Sequence, residues 1–487
     1  MADPQKPQPE WGIKLSKFFV LPQRWILAIM GFFAIFNAYT MRVCLSQAIT
    51  VLVVKKNYTA AAQQNEAICD ADEESSDSSS KGDSGGTYTW SEEKQGLILA
   101  SFYIGYIVTH LPGGLLADKF GGKWILVIGI FLTAIFTLVT PVSIVYGGAD
   151  ALIVLRVLMG LGEGTTFPAL SVLLAGWAPA SERGMLGSLV LGGGQVGSIA
   201  GNILSGLILD SMDWMWVFYI FAFIAIFWCI LFTLLCFSYP YTHPYIKPTE
   251  REFLAQEIPP QDKNKPKTPF KAIFTNIPMW ALISAQIGHD WGFYIMVSYL
   301  PKYMHDILRF SIKSNGLYSS LPYVTMWIMS LLSGCVADQM IKHNCMSTTN
   351  TRKIMTAVAA FGPAIFMIGA SYAGCNRALV VTLFTIAMGL MGTYYAGMKL
   401  TPLDMSPNYA GTLMAITNGI GSFTGVVSPY LVGVMTPNAD LMEWRMVFWV
   451  AFGVLSVTAV IYCIWASGEI QPFNDGTNSN KKPAAAT

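Results

Sequence analysis

Residues 187–201 read GSLVLGGGQVGSIAG and are followed at 213–223 by DWMWVFYIFAF; residues 411–425 read GTLMAITNGIGSFTG and are followed at 443–452 by EWRMVFWVAF. When the two stretches are superposed, Gly187, Gly197, Ser198, Gly201 and Trp214 meet Gly411, Gly421, Ser422, Gly425 and Trp444. A second pair agrees with the first: Gly114-x-x-x-Asp118 closes the second apolar run and Gly334-x-x-x-Asp338 closes the eighth. Glycine-rich helices resemble one another by chance, but here the order of matches and the trailing Trp-Val-Phe pattern agree as well. Such self-similarity marks a duplicated architecture. The chain reads as two six-helix halves in parallel repeat.

Working outward, the 487 residues are 53% hydrophobic and only 12% charged, against roughly a quarter charged in a soluble domain. Apolar runs recur near 25–54, 95–117, 124–146, 151–177, 186–209, 215–238, 278–304, 316–340, 354–373, 378–400, 411–434 and 444–466. Each approaches the roughly 20 residues that a helix needs to cross a bilayer. A transmembrane barrel would show alternating segments of about ten residues instead. The expected fold is therefore an all-α membrane protein of twelve transmembrane helices. Its parts are a cytoplasmic tail at 1–24, a first bundle at 25–238 with an outer loop at 55–94, a cytoplasmic linker at 239–275, a second bundle at 276–466 and a cytoplasmic tail at 467–487. Parallel repeats of this kind let transporters hold a solute near mid-membrane between halves that rock.

Net charge is +1, so bulk charge points to no nucleic acid or acidic partner; the lipid bilayer is the partner that composition implies. Basic residues are placed unevenly: Lys6, Lys14, Lys17 and Arg24 precede the first run, Lys119 and Lys123 follow the second, and Lys247, Arg251, Lys263, Lys265, Lys267 and Lys271 crowd the linker. The positive-inside rule makes those segments and both termini cytoplasmic. The acidic, Ser- and Gly-rich stretch 55–94 then faces outward, and its sequon Asn57-Tyr58-Thr59 is a candidate glycosylation site. Eight cysteines are scattered without a C-x-x-C, which implies neither a metal site nor a disulfide framework. Cys69 and Cys375 both fall on the outer side and could pair, although free buried thiols are the commoner outcome.

An ionised side chain at bilayer depth costs about 2.5–3.5 kcal/mol on insertion scales, so it normally faces a cavity or a partner. Arg42, Arg156 and Glu163 are such groups, and Arg156 and Glu163 stand two turns apart on one helix face. A guanidinium cannot discharge and offers its donors in a fork that suits carboxylate or phosphate; Arg42 is the first choice of anion ligand. Glu163 can bind and release a proton and is the coupling candidate, with Arg156 beside it. A static pair, Arg156–Glu163 or Arg42–Glu163, is the competing reading. His289-Asp290 opens the seventh run, where a histidine can titrate near neutral pH or serve structure alone. Tyr106 and Tyr294 are candidate hydroxyl donors to a solute or packing residues, and Asn418 contacts solute or bonds a neighbouring helix. No nucleophile–base set, metal-ligand cluster or phosphate-binding glycine loop appears, so an enzyme is not expected and no cofactor or metal is implied.

Gly114-Leu-Leu-Ala-Asp118-Lys119-Phe-Gly121-Gly122-Lys123 fits the G-x-x-x-D-(R/K)-x-G-x-(R/K) signature, between the second and third spans, of the major facilitator superfamily. By that resemblance Asp118 belongs to a charge network that latches one state. Further stretches resemble the anion:cation symporters, which include sialin, the vesicular glutamate transporters and the type I sodium-phosphate cotransporters. They are Tyr39-Thr-Met-Arg42, Ser101-Phe-Tyr-Ile-Gly-Tyr106 with Pro112-Gly-Gly114, Gly160-Leu-Gly-Glu163-Gly164-Thr-Thr-Phe-Pro168, Leu403-Asp404-Met-Ser-Pro407 and Thr417-Asn418-Gly419. The likeness covers nearly all of the chain outside the first outer loop and the tails, and it lies nearest the phosphate cotransporter and sialin-like branch.

The resemblance implies symport of a small anion, inorganic phosphate or an organic carboxylate, coupled to sodium or protons and carried out by a monomer. Departures narrow it. Leu99 stands where glutamate transporters have a histidine, His289 where they have arginine, His110 where many members have glutamine, and Met159 where sialin-like proteins often have a second glutamate. Glutamate transport is not supported. A sialin-like, proton-coupled exporter of acidic sugars is the alternative, and a non-transporting anion receptor or scaffold the second. The N-terminal segment has no acidic residue placed before a Leu-Leu pair, which favours the plasma membrane over a lysosomal or vesicular one.

Overall fold

The computed structural model describes residues 9–17, 20–54, 69, 86–179, 182–258, 268–406 and 408–475. The protein is an all-α membrane protein, and twelve helical spans follow one another in the described residues. They are α1 (Gln23–Leu52), α2 (Glu92–Phe120), α3 (122–147), α4 (149–163 continued by Thr166–Trp177), α5 (Arg183–Ser211) and α6 (Met215–Leu235). After the linker come α7 (Ile277–Asp306), α8 (Ile312–Lys342), α9 (Thr348–Tyr372), α10 (Arg377–Met391), α11 (Ala410–Gly421 continued by Thr424–Met435) and α12 (Leu441–Trp465).

Local chemistry sets the ends. Ser91, Asn276, Ser347, Asn376 and Asp440 each accept a bond from a backbone N–H in the first turn of the helix that follows, and Asp440 with Glu443 makes a full capping box. Gly121 at φ +89° turns α2 directly into α3, and Gly148 at φ +59° separates α3 from α4. These left-handed conformations are open to glycine and strained for other residues.

Eight helices among the described residues are long and apolar enough to cross a membrane, and one of these, Gly122–Trp177, is α3 and α4 run together. The three spans outside that set are α5, α7 and α11. They are rich in Gly, Ser, Asn and Gln or carry His289 and Asp290, so their polar groups depend on neighbouring helices for partners; Gln47 to Asn202 and Tyr394 to Gln286 are two such bonds, whereas His289 Nδ1 has none.

Two differences from the sequence reading matter for the site. α7 begins at Ile277, so His289-Asp290 does not open it; at 1.5 Å per residue the pair lies about 18 Å inside. The runs read as continuous spans four, ten and eleven are each interrupted: at Gly164-Thr165, from Gly392 to Leu400, and at Ser422-Phe423.

The chain divides into two compact units: Met1–Lys55 with Ser76–Asp262 and Ser311–Ser320, and Lys56–Ser75 with Lys263–Phe310 and Leu321–Thr487. In the first, α1 packs along α5. A Cβ on Gly197 would stand 2.7 Å from the Phe36 carbonyl oxygen, so only glycine permits this approach, and Gln47 Nε2 donates to Asn202 Oδ1 at 3.0 Å. In the second, α7 packs against α11 and α12, and Gly421, the repeat partner of Gly197, lies against Gln286 and Asp290 of α7. An aromatic cluster closes the other end of this unit, where the Tyr303 ring meets Trp444, Phe384 and Phe448 edge-on at 5.1–5.7 Å.

Cys69, between α1 and α2, is bonded to Cys375, between α9 and α10, and its N–H donates to the Ile307 carbonyl at 3.2 Å. The free-thiol expectation is corrected here. Two cysteines distant in sequence carry no signal until the fold brings their Cα atoms to 5.3 Å. Asn57 lies outside the described residues.

Candidate functional site

In the first unit the site is built where α1, α2 and α4 meet. Gly160 and Gly164 of α4 lie directly on the backbone of α2 at Phe102 and Tyr106. That contact sets Arg156 and Glu163 beside the aromatic face of α2. Arg42 arrives from α1, and its guanidinium is walled by Tyr39 at 4.7 Å, Phe102 at 4.9 Å, Tyr106 at 5.4 Å and Tyr103 at 5.7 Å. Its Nη2 donates to Oε1 of Glu163. Exposures of 6% for Arg42, 2% for Arg156 and 1% for Glu163 place all three inside the protein. Of the static pairs weighed from sequence, Arg42–Glu163 is the one formed.

This charge set is not fully compensated. Arg42 Nε, Glu163 Oε2 and Arg156 Nε are buried without hydrogen-bond partners. Among the described residues Arg156 has no ion pair; its guanidinium sits 4.8 Å over the Phe102 ring. A cation–π contact is worth about 2 kcal/mol when desolvated, far less than the cost of an isolated buried charge. Two guanidinium groups therefore share one carboxylate, an excess positive charge that a negative solute can neutralise. Tyr106, read from sequence as a hydroxyl donor or a packing residue, has its ring beside Arg42 and against His110 at 5.3 Å.

The second unit holds a polar chain of its own. Tyr394 Oη donates to Gln286 Oε1 at 2.8 Å, and Gln286 Nε2 donates to Asp290 Oδ2 at 2.8 Å. The His289 ring stacks on Tyr394 at 3.5 Å, with Nδ1 buried and without a partner. Lys399 Nζ donates to Asn418 Oδ1 at 2.6 Å and lies 5.5 Å from the Tyr394 centroid. His289 and Asn418 thus belong to one cluster, whereas Tyr294 is buried and packs on Phe293 at 5.9 Å. Gln286, Tyr394 and Lys399 were missed by sequence reading. Lys399 had the only available signal, a cation at the end of an apolar run, where lysines ordinarily reach for headgroups.

At the α2–α3 corner, Gly114 packs near Pro168, and a Cβ on Gly121 would strike Ser238 Oγ at 2.6 Å. Lys123 Nζ donates to the Thr233 carbonyl at 2.7 Å and stands 3.8 Å over Phe237, so it secures the end of α6. Lys119 lies over Phe120 at 5.3 Å, and the Asp118 side chain lies outside the described ones. Nearby, Arg24 binds Glu182 at 2.7 Å and Glu250 at 3.1 Å, which joins α1 to the α4–α5 turn and to the linker helix Pro248–Glu257. The Arg24 hydrogen bond holds the Glu182 carboxyl below its ordinary range. His243 is buried among Trp177, Phe237 and Tyr245, and that burial pushes its imidazole down to about 4. In the second unit Arg352 Nε binds Asp404 Oδ2 at 2.7 Å while Nη1 donates to the Ala396 carbonyl at 2.8 Å.

Twelve helices in duplicated order, with ionised groups held inside them, are the build of a secondary transporter rather than an enzyme. The model of the Major Facilitator Superfamily matches residues 27–429. Human sialin is 38% identical over 448 residues, 92% of this chain and 90% of its own. A Drosophila melanogaster protein provisionally named as an inorganic phosphate cotransporter is 37% identical over 476 residues, 95% and 88% respectively. Among solved structures, the D-xylose–proton symporter superposes with a TM-score of 0.64 at 16% identity, over 91% of this chain and 98% of that one. The chain belongs to the major facilitator superfamily and, within it, to the anion:cation symporter family.

Proposed function

We propose that the protein carries a small anion, inorganic phosphate or an organic carboxylate, by alternating access coupled to sodium or protons. One observation carries the reading: Arg42 is bound to Glu163 while Arg156 beside it has no ion pair of its own among the described residues. The Nη2 donor that holds Glu163 cannot serve a solute at the same time. A proton or sodium ion that neutralises Glu163 releases Arg42, so anion binding and cation binding become one event. Arg42 is the anion ligand in this scheme, Glu163 the coupling group and Arg156 its electrostatic neighbour; Tyr106, His289, Tyr294 and Asn418 complete the solute contacts.

Gly114, Asp118, Lys119, Gly121 and Lys123 act as the latch of one state. The protein works as a monomer, with both termini cytoplasmic, in the plasma membrane, and Asn57 carries a glycan. Purified protein in liposomes, with sodium and pH gradients imposed separately, tests the coupling; anion uptake driven by neither gradient ends it. The identity to human sialin supports a second reading, a proton-coupled exporter of acidic sugars. The same liposomes distinguish it by substrate and by direction.

A further inference from the structure

We infer that Lys399, with Asn418 and the free ring nitrogen of His289, forms an anion subsite within the second unit. The inference rests on the anion-carrier reading and adds to it a cation that neither the sequence reading nor the relatives' names assign.

Lys399 follows the stretch where α10 unwinds. The turn of 3-10 helix Gly392–Tyr395 ends the regular bonds, and the Lys399 N–H reaches back to the Tyr394 carbonyl at 3.3 Å. Interrupted membrane helices are where transporters build ion sites, because irregular backbone is tolerated only beside a cavity or packed protein. The side chain turns inward rather than to headgroups. It meets Asn418, eight residues into α11 and about 12 Å from its start at 1.5 Å per residue.

Among the described residues no carboxylate lies within 4.0 Å of Nζ. Asp290 acts on Lys399 through space but is engaged by Gln286. Besides that through-space attraction the ammonium has one hydrogen bond, to a neutral amide oxygen, and an aromatic ring centred 5.5 Å away, which leaves donors for a ligand. Tyr394 touches both Lys399 and His289, whose Nδ1 is buried and without a hydrogen-bond partner.

Binding of inorganic phosphate, glutamate and glucuronate to purified wild type, Lys399→Met and Lys399→Arg tests the subsite, with a thermal scan of each. For whichever anion the wild type binds, Lys399→Met is expected to raise Kd about tenfold or more, and Lys399→Arg to stay within about threefold. Equal Kd in wild type and Lys399→Met overturns the subsite alone. Equal weakening in both variants with a lowered Tm makes Lys399 a strut and also overturns it. Should Lys399→Met not fold, amine labelling of wild-type protein decides: the bound anion must protect Lys399, and absent labelling or absent protection overturns the subsite. A wild type that binds none of the three anions overturns the carrier reading and this inference with it.

Discussion

Arg42 of α1 and Glu163 of α4 form a buried ion pair in which Glu163 keeps one oxygen, Oε2, without a partner. A structural bridge gains most when both carboxylate oxygens are bonded, since the desolvation of each charge has to be offset. A carboxylate bound through one oxygen is stabilised enough to persist and loosely enough held to exchange its counter-ion.

Arg42→Ala is expected to abolish anion uptake while the protein still reaches the surface. Arg42→Lys should retain less than about a tenth of it, because an ammonium does not reproduce the planar fork. Uptake normalised to surface-labelled protein is the measurement, and unchanged uptake in Arg42→Ala removes Arg42 from the site.

Glu163→Gln leaves a neutral residue of the same shape, which mimics the cation-loaded state. Gradient-driven accumulation should fall about tenfold or more, whereas anion counterflow at equal concentrations should stay within about threefold. Loss of both activities would assign Glu163 to helix packing instead.

Gly421→Ala places a Cβ 2.6 Å from Gln286 Cγ and against the Asp290 carboxylate, which should cost about 1–3 kcal/mol. Gly411→Ala, near the start of the same helix, meets nothing within 4 Å and should change stability by no more than about 1 kcal/mol. Thermal scans in detergent compare them; equal Tm values would remove the close approach of α7 and α11 as a requirement.

His243 stays neutral in the folded protein down to about pH 4, while an unfolded histidine takes up a proton below about 6.5. Between those values the unfolded state binds more protons, so stability is level above the window and falls as pH drops through it. The wild type should lose more stability between pH 7 and pH 5 than His243→Gln, by up to about 2 kcal/mol, read as a larger drop in Tm. An equal loss in both would trace the acid sensitivity to another group.

The Cys69–Cys375 bond predicts a cross-linked peptide in a non-reducing digest. Cys69→Ser should expose Cys375 to a membrane-impermeant maleimide that does not label it in the wild type. Labelling of Cys375 in untreated wild type would show that the bond does not form.

The fold was legible because membrane spans announce themselves one at a time: length and apolarity are local properties, and the repeated glycines of α5 and α11 show the duplication directly. Arg42, Arg156 and Glu163 were legible for the opposite reason, as charges where hydrocarbon forbids them. The interruptions of α4, α10 and α11 were not, since glycine within a span is compatible with either a bend or close packing. Lys399 was passed over because it stood at the apparent end of a span.

Sequence alone therefore determined the number of spans, their duplicated order, the family and the charged residues inside the helices, all of which follow from composition and spacing along one dimension. Tertiary structure decided which charges meet: that Glu163 pairs with Arg42 and leaves Arg156 without an ion pair among the described residues, that Lys399 turns to Asn418, and that Cys69 reaches Cys375. Pairing depends on helix rotation and on approach distances set by glycines such as Gly160 and Gly421, and a fraction of a turn redirects a side chain from lipid to partner.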